Sequence, residues 1–114
     1  MTDSRAIQHP DLEQNLEQVN FLSEGITGFC QRYPIQRLSL FGSILRADFT
    51  DQSDVDFLVE FLPDAKVGYF ELVRMENELT DLLGRKVDLR TPNELSPYFR
   101  QEVIDGAVIQ YVKD

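Results

Sequence analysis

Two neighbouring stretches decide the fold, Leu38-Ser-Leu-Phe-Gly-Ser-Ile-Leu-Arg46 and Asp54-Val-Asp-Phe-Leu-Val-Glu-Phe61. The first predicts a strand over Ile35–Phe41 that ends in a tight Gly-Ser turn. The second predicts another strand, whose apolar residues occupy every second position and face the core. The opposite face of that strand begins with acidic residues. The sequence therefore predicts a sheet with polar groups gathered where the first strand ends and the second begins.

The acidic start of the second strand indicates a site. Asp54 and Asp56 are two residues apart, so their carboxylates point to the same side of a strand. An Asp-x-Asp pair alone is weak evidence, because charged residues are common on protein surfaces. Here Gly42 allows a close backbone approach, and Ser43 offers a hydroxyl and an amide to a phosphate. The combination predicts a site that holds hard cations against a phosphate chain.

A third aspartate strengthens this interpretation. Asp88 lies in a predicted strand over Arg85–Arg90, between the apolar residues Val87 and Leu89. If that strand lies beside Asp54–Phe61, three carboxylates converge, and they cannot all stay ionised without a cation. Mg²⁺ takes oxygen ligands and is commonly shared between carboxylates and substrate phosphates. The predicted metal ligands, which are also the predicted catalytic residues, are Asp54, Asp56 and Asp88.

Composition limits the function. The 114 residues, 42% of them hydrophobic, predict one domain, and the net charge of −9 argues against direct nucleic-acid binding. The same charge suits a basic protein partner. With a single cysteine, Cys30, and a single histidine, His9, the chain lacks the ligands of a structural zinc site. Cys30 is predicted to be a small core residue.

The beginning of the chain is polar. Residues 1–10 lack the apolar middle of a signal peptide, and no apolar run approaches the roughly 20 residues of a membrane span. We therefore predict a polar arm over residues 1–10, one domain over residues 11–114, a cytoplasmic location and no membrane association.

Helical periodicity surrounds the predicted strands. Apolar residues recur every three or four positions from Asp11 to Tyr33, and Pro34 ends the pattern. This predicts one long helix that starts at Asp11. Its glycines weaken the second half and leave room for a break near Ser23–Gly25.

Two further helices are predicted in the second half of the chain. One covers Tyr69–Leu83 and ends at Gly84. The other covers Glu94–Asp105, with Pro97 in its first turn. Residues 107–112 fit either a last strand or the tail of that helix. The order of strands and helices predicts an α/β or α+β domain in which helices cover a sheet.

The combined motifs resemble a known family. Phe41-Gly-Ser-Ile-Leu-Arg46, Ser53-Asp-Val-Asp-Phe-Leu-Val59, Leu82-Leu-Gly-Arg-Lys-Val-Asp-Leu89 and Leu95-Ser-Pro-Tyr-Phe-Arg100 are similar to the pattern of the minimal nucleotidyltransferase family, within the DNA polymerase β superfamily. The resemblance covers the chain from about Ile35 onward. One departure is Ala47, where the family commonly has glycine. All three acids are present, which favours an active enzyme.

The resemblance implies a single minimal domain with a mixed sheet backed by helices. It also implies transfer of AMP from ATP to a hydroxyl, with two Mg²⁺ ions bound. Gly42 and Ser43 would bind the triphosphate. Asp54 and Asp56 would ligate both metals, and Asp88 only the catalytic metal. Arg46 either contacts a phosphate or pairs with a neighbouring aspartate, Asp48 or Asp51.

The resemblance also implies a partner, because many members are antitoxins of ribonuclease toxins with a HEPN domain. A protein acceptor is favoured, since this chain shows no added domain that would hold a small one; a homo-oligomer could also present the acceptor. Two alternatives stay open. The protein could neutralise its toxin by stoichiometric binding with a vestigial site, or it could be a nucleotide sensor.

Overall fold

The structure, a computed structural model, describes residues 9–19 and 21–114, which form helices and strands. The predicted arm falls outside this part except for His9 and Pro10. The helices are α1 (Leu12–Glu17), α2 (Ser23–Gln31), α3 (Tyr69–Leu83) and α4 (Arg100–Gly106), and the strands are β1 (Ile35–Phe41), β2 (Val55–Phe61), β3 (Val87–Arg90) and β4 (Val108–Val112). Two short 3₁₀ turns cover Gly42–Leu45 and Pro92–Glu94.

The four strands form one mixed sheet in the order β3-β2-β1-β4. β1 runs antiparallel to both β2 and β4, whereas β2 and β3 are parallel. The end of β1 and the beginnings of the other three strands therefore meet at one edge of the sheet. At this edge Asp56 is the register partner of both Phe41 and Asp88. The predicted neighbourhood of the Asp54 and Asp88 segments is confirmed.

The core forms between the sheet and its helices. In β2, Val55, Phe57 and Val59 are buried as predicted, but Leu58 on the opposite face is buried too. This central strand thus has apolar contacts on both faces, and only its first residues carry the acids. Cys30 is buried, as predicted, and burial raises the pKa of its thiol to about 12. The core side chains of α3 are Met75, Leu79 and Leu83.

The predicted long helix is wrong, because it is two helices. α1 ends at Glu17 and α2 begins at Ser23, so the break lies ahead of the predicted position. Leu22, which one continuous helix would turn inward, is 64% exposed. The periodicity did not reveal the break, because both helices bury their apolar residues in the same core. Gly25 lies inside α2, where a Cβ would make ordinary van der Waals contact with the Leu82 side chain at 3.4 Å.

The predicted helix over Glu94–Asp105 is also wrong in its first half. The Glu94 carboxylate accepts hydrogen bonds from the backbone and hydroxyl of Thr91, which closes one 3₁₀ turn. Pro97 disfavours a helical conformation at the preceding residue, and α4 starts only at Arg100. The Arg100 guanidinium donates a 2.8 Å hydrogen bond to the Pro92 carbonyl and ties the segment together. Residues 107–112 contain a strand, β4.

The helix α3 has the predicted bounds, with Gly84 in the left-handed conformation at its end (φ 69°). It also covers the outer edge of β3. The Thr80 hydroxyl accepts a hydrogen bond from the Val87 N–H, and the Glu76 carboxylate accepts one from the Leu89 N–H. These bonds occupy backbone donors that an edge strand would otherwise expose. β2 and β3 begin one and two residues later than predicted. No helix in the described ranges has the length and hydropathy that a membrane crossing requires.

Candidate active site

The three predicted acids lie at the edge of the sheet where four strand ends meet. Asp54 directly precedes β2, Asp56 is its second residue, and Asp88 lies opposite Asp56 on β3. The outer two acids have cations beside them. Asp54 Oδ2 is 3.7 Å from Lys86 Nζ, and Asp88 Oδ1 is 3.9 Å from an Arg90 guanidinium nitrogen.

The acids are gathered but are not arranged around a common point. Among the described residues, no group of three or more histidine, cysteine, aspartate or glutamate side chains is placed to hold a metal ion. Binding of a cation by all three acids would therefore require side-chain rotations that replace the contacts with Lys86 and Arg90. The assignment of Asp54, Asp56 and Asp88 as metal ligands stays a prediction.

Ionisation of the Asp56 carboxyl is unfavourable at this edge of the sheet. Burial, together with the negative charges of Asp88 and Asp54, raises the pKa of its carboxyl to about 6. Arg90 and Arg46 act in the opposite direction and are not sufficient to cancel this rise. A partly buried carboxylate with two acidic neighbours is an all-oxygen donor set in which like charges lie close together. That chemistry fits a hard divalent cation such as Mg²⁺.

The Gly-Ser turn packs directly on the acidic strand. Gly42 has a positive φ of 78°, and a Cβ at this position would collide with the Asp56 carboxylate. Glycine is thus required here for both its backbone angle and its size. The Ser43 hydroxyl donates a 3.4 Å hydrogen bond to the Asp54 carbonyl. The turn and the Asp-x-Asp segment therefore form one unit.

Asn15 of α1 forms hydrogen bonds to the same turn, and this role was not predicted from the sequence. Its buried amide donates hydrogen bonds to the carbonyls of Ile44 (2.8 Å) and Arg46 (2.7 Å). Without this amide the two carbonyls at the end of the turn would lose a buried partner. A signal was available, since Asn15 falls on the apolar stripe of α1 beside Leu12, where a polar residue is unusual.

The basic residues near the site have different roles. Arg46 lies 3.3 Å from Asp48, so the predicted pairing with an aspartate is present, while a phosphate contact stays a prediction. Arg85 donates two 2.6 Å hydrogen bonds to the carbonyls of Thr50 and Ser53. It also stacks over the Phe49 ring at 4.8 Å. Arg85 therefore fixes the loop between the turn and β2.

Cavities border the acids and the Gly-Ser turn at several places. One, of about 330 Å³, has Asp54 and Lys86 in its wall. Two others differ in size. The larger, of about 720 Å³, opens beside Gly42 and Arg46. Its wall also includes Leu95 and Phe99, which precede α4, and Val103 of α4. The smaller, of about 170 Å³, lies between α3 and β3 and includes Asp88 in its wall. His9, for which no role was predicted, lines the larger cavity.

The chain matches the family model described as "Nucleotidyltransferase domain" over residues 22–109. It belongs to this nucleotidyltransferase family. The match contains the Gly-Ser turn and all three acids, so the predicted family is confirmed. The protein is accordingly a nucleotidyltransferase. The residue roles inferred from the resemblance are not tested by the match and stay predictions.

Relatives agree with this assignment. The chain is 32% identical to the Methanocaldococcus jannaschii protein MJ0435, described as a candidate protein adenylyltransferase, over 79% of this chain and 95% of the relative. A solved structure described as a candidate minimal nucleotidyltransferase is 30% identical, with a TM-score of 0.65 over 86% of this chain and 94% of the other. The predicted fold, a minimal domain with a mixed sheet and covering helices, is confirmed.

A toxin–antitoxin crystal structure with AMP-PNP shares the fold at a TM-score of 0.67, over 82% of this chain and 76% of the other. At 19% sequence identity this likeness shows the fold alone.

Proposed function

We propose that this nucleotidyltransferase transfers AMP from Mg²⁺-bound ATP to a hydroxyl of a partner protein, the toxin of a toxin–antitoxin pair. The observation that carries the proposal is the packing of the Gly42 turn against the Asp56 carboxylate, with Asp88 opposite. This packing supports a site in which the backbone of the turn would bind phosphate directly beside carboxylates that would bind a divalent cation.

Different residues of the chain would bind the triphosphate, hold the metal and accept the proton. The Gly42–Ser43 turn would receive the triphosphate through its backbone amides. Asp54, Asp56 and Asp88 would hold Mg²⁺, which supplies charge stabilisation at the phosphates and lowers the pKa of the attacking hydroxyl. The acceptor oxygen forms a bond to the α-phosphorus, and the bond from this phosphorus to the bridging oxygen breaks. Pyrophosphate leaves, and the hydroxyl proton passes to the Asp88 carboxylate.

Similar proteins support the donor and the acceptor. A relative at 32% identity is described as a candidate protein adenylyltransferase, which favours AMP as the transferred group and protein as the acceptor. A structural neighbour is a toxin–antitoxin complex with AMP-PNP. We therefore propose a toxin with a HEPN domain as the partner and the cytoplasm, where ATP is available, as the location.

The direct test follows label from ATP. The full chain is incubated with Mg²⁺, ATP labelled at the α-phosphate and the protein encoded beside it, and label on that protein is measured. We expect transfer by the wild type, and loss of transfer in an Asp54→Asn, Asp56→Asn variant. Asp51→Asn, in the exposed loop ahead of the site, is the matched control and should transfer normally.

The same variants separate catalysis from stoichiometric masking. If the toxin is neutralised through AMP transfer, the double variant fails to neutralise it although it still folds. Neutralisation by the double variant at wild-type level would instead favour masking and count against the catalytic proposal.

A further inference from the structure

The cavity at Gly42 and the cavity at Asp88 differ in size, and this difference indicates different occupants. Small-molecule sites usually have volumes of about 300–1,000 Å³. The cavity at Gly42 has about 720 Å³ and falls in that range. The cavity at Asp88 has about 170 Å³, which is too small for a nucleotide. Its volume suits one side chain that enters from outside.

The smaller cavity has an apolar wall and an acidic wall. Leu72 and Val73 of α3 and Leu89 of β3 form the apolar part. Asp88 faces the same space, whereas Asp54 and Asp56 do not line it. A side chain in this cavity would therefore lie against the carboxylate to which the proposed reaction assigns the acceptor proton.

An exposed aromatic pair lies at this cavity, with one ring in its wall and the other beside it. Tyr69, which lines the cavity, is 73% exposed, and Phe70 beside it is 83% exposed. Their rings contact each other edge to face, with 5.7 Å between the centroids. Aromatic side chains bury about 150–250 Å² each when covered, so leaving two of them in solvent forgoes a large hydrophobic gain. Such residues concentrate in the energetically important parts of protein interfaces.

The charges around the cavity indicate the kind of partner. Asp88, Glu76 and Glu94 line it, and Arg90 is the one basic residue in its wall. Arg90 lies 3.9 Å from both Asp88 and Glu94, so it is already paired. The surface is thus apolar at the two rings and negative around them. A segment with an apolar or aromatic contact and basic neighbours complements it.

We propose that this cavity is the acceptor subsite of the enzyme: it receives the hydroxyl-bearing side chain of a protein acceptor, while Tyr69 and Phe70 bind the apolar part of the segment that carries it. The inference rests on the proposed transfer of AMP to a protein. It assigns the acceptor to the Asp88 side and leaves the larger cavity, at Gly42, to the nucleotide. The acceptor contacts lie mainly on α3.

The test compares acceptor use with donor binding. A Tyr69→Ser, Phe70→Ser variant of the full chain is assayed for label transfer from ATP to the protein encoded beside it. We expect the KM for that protein to rise at least tenfold. The Kd of Mg²⁺ and AMP-PNP, measured by calorimetry, should stay within twofold of the wild-type value. Transfer by this variant with an unchanged KM would overturn the inference.

A second variant addresses the cavity itself. Val73→Phe adds a ring inside the cavity and leaves the exposed pair intact, so it should block transfer without changing AMP-PNP binding. Tyr98→Ser is the control, because Tyr98 is 92% exposed and lines neither cavity. An equal loss in Tyr98→Ser and Tyr69→Ser would overturn the assignment to the Asp88 side.

The outcomes also separate this inference from the proposed function. A wild-type protein that binds AMP-PNP but labels no protein contradicts the proposed function, and the acceptor assignment fails with it. A wild type that labels its partner, together with a Tyr69→Ser, Phe70→Ser variant that does so equally well, contradicts the acceptor assignment alone.

Discussion

The two sides of the acidic edge are built in opposite ways. On the proposed donor side, Gly42 fits against Asp56 without room for a methyl group, and the buried Asn15 amide bonds the end of the turn. On the proposed acceptor side, Tyr69 and Phe70 are exposed, and Asp88 lies 3.9 Å from the half-exposed Arg90. The first side is fixed by packing and hydrogen bonds, whereas the second presents exposed rings.

This difference has a physical reason. A nucleotide is small and flexible, so its site must supply the geometry in advance through fixed backbone groups. A protein acceptor brings its own folded surface, and the hydrophobic area that it covers can provide the binding free energy. We therefore expect donor-side substitutions to change nucleotide affinity and stability. Substitutions on the acceptor side should change the use of the protein partner and leave stability nearly unchanged.

The largest effect on AMP transfer is expected at Asp56, which lies between the Gly42 turn and Asp88. Asp56→Asn should reduce AMP transfer at least ~10³-fold, because a charged group of the proposed metal site is lost. The same change should stabilise the metal-free protein by about 1–2 kcal/mol at pH 7. It removes a partly buried carboxylate that Asp88 and Asp54 repel and that solvent partly screens. Label transfer and urea unfolding measure the two effects. A destabilised variant would contradict the electrostatic interpretation.

The pH dependence of that stability follows from the raised pKa of Asp56. The folded carboxyl, with a pKa of about 6, binds a proton at higher pH than the unfolded one, at 3.8. The folded state therefore holds the extra proton between these values, and the contribution of Asp56 to stability falls as the pH rises through this window. The advantage of Asp56→Asn over the wild type should grow from pH 4 to pH 7. It should shrink when Mg²⁺ is added at pH 7.

Gly42→Ala should give the next largest effect. A residue with a Cβ at a positive φ costs about 1–2 kcal/mol, and here the methyl group also meets the Asp56 carboxylate. Calorimetry should show AMP-PNP binding weakened at least ~100-fold, consistent with the 1.4 kcal/mol per tenfold scale of affinity. Gly84→Ala is a matched control, because Gly84 has a similar φ of 69° but open space around it. Equal destabilisation by both substitutions would show that the collision is unimportant.

Asn15→Ala should affect stability more than chemistry. It leaves the buried Ile44 carbonyl and the partly buried Arg46 carbonyl without their partner, which costs about 1–3 kcal/mol in total. Because the turn loses its support, AMP-PNP affinity should fall about tenfold at temperatures where the variant is still folded. Gln14→Ala, an exposed neighbour on the same helix, should leave both quantities unchanged. An Asn15→Ala variant with full stability would argue against a preorganised donor side.

The smallest effect concerns Arg46. Its pair with Asp48 is exposed, so Arg46→Gln should change the free energy of unfolding by less than about 0.5 kcal/mol. If Arg46 contacts a phosphate, the Kd of AMP-PNP should rise roughly 3- to 10-fold, as for one exposed charged contact. Asp48→Asn breaks the ion pair but keeps the arginine, and should bind the nucleotide as well as the wild type. Equal losses in both variants would assign Arg46 only the structural pairing.

Much of the fold was predictable because local signals were strong. Ile35–Phe41 and Tyr69–Leu83 have the predicted bounds, since alternation and helical periodicity each point to one structure there. The helix break after Glu17 was missed because apolar spacing continues across it. The region after β3 was mispredicted because a capping pair at Thr91 and Glu94 closed a single turn that periodicity alone extends into a helix.

The candidate site was predictable in part. Gly42, Asp54 and Asp56 stand close together in a motif, so the sequence alone links them to phosphate and metal chemistry. Asn15 was missed because its partners are backbone carbonyls about 30 residues away, at 29 and 31 positions' separation. Tyr69 and Phe70 were missed because an exposed aromatic residue and a core aromatic residue look alike in a sequence.

Local sequence alone indicates the class of chemistry, because residue types at fixed short spacings limit which ligands can bind. It specified a glycine where the chain needs a positive φ, acids on one face of a strand, and a net charge of −9 that favours a protein partner over nucleic acid. Which of these groups become neighbours depends on the tertiary packing. The parallel pairing of β2 with β3 set Asp88 opposite Asp56, and the packing of α3 placed two exposed rings beside it. Such long-range neighbours depend on the packing of the whole core, which local sequence does not encode.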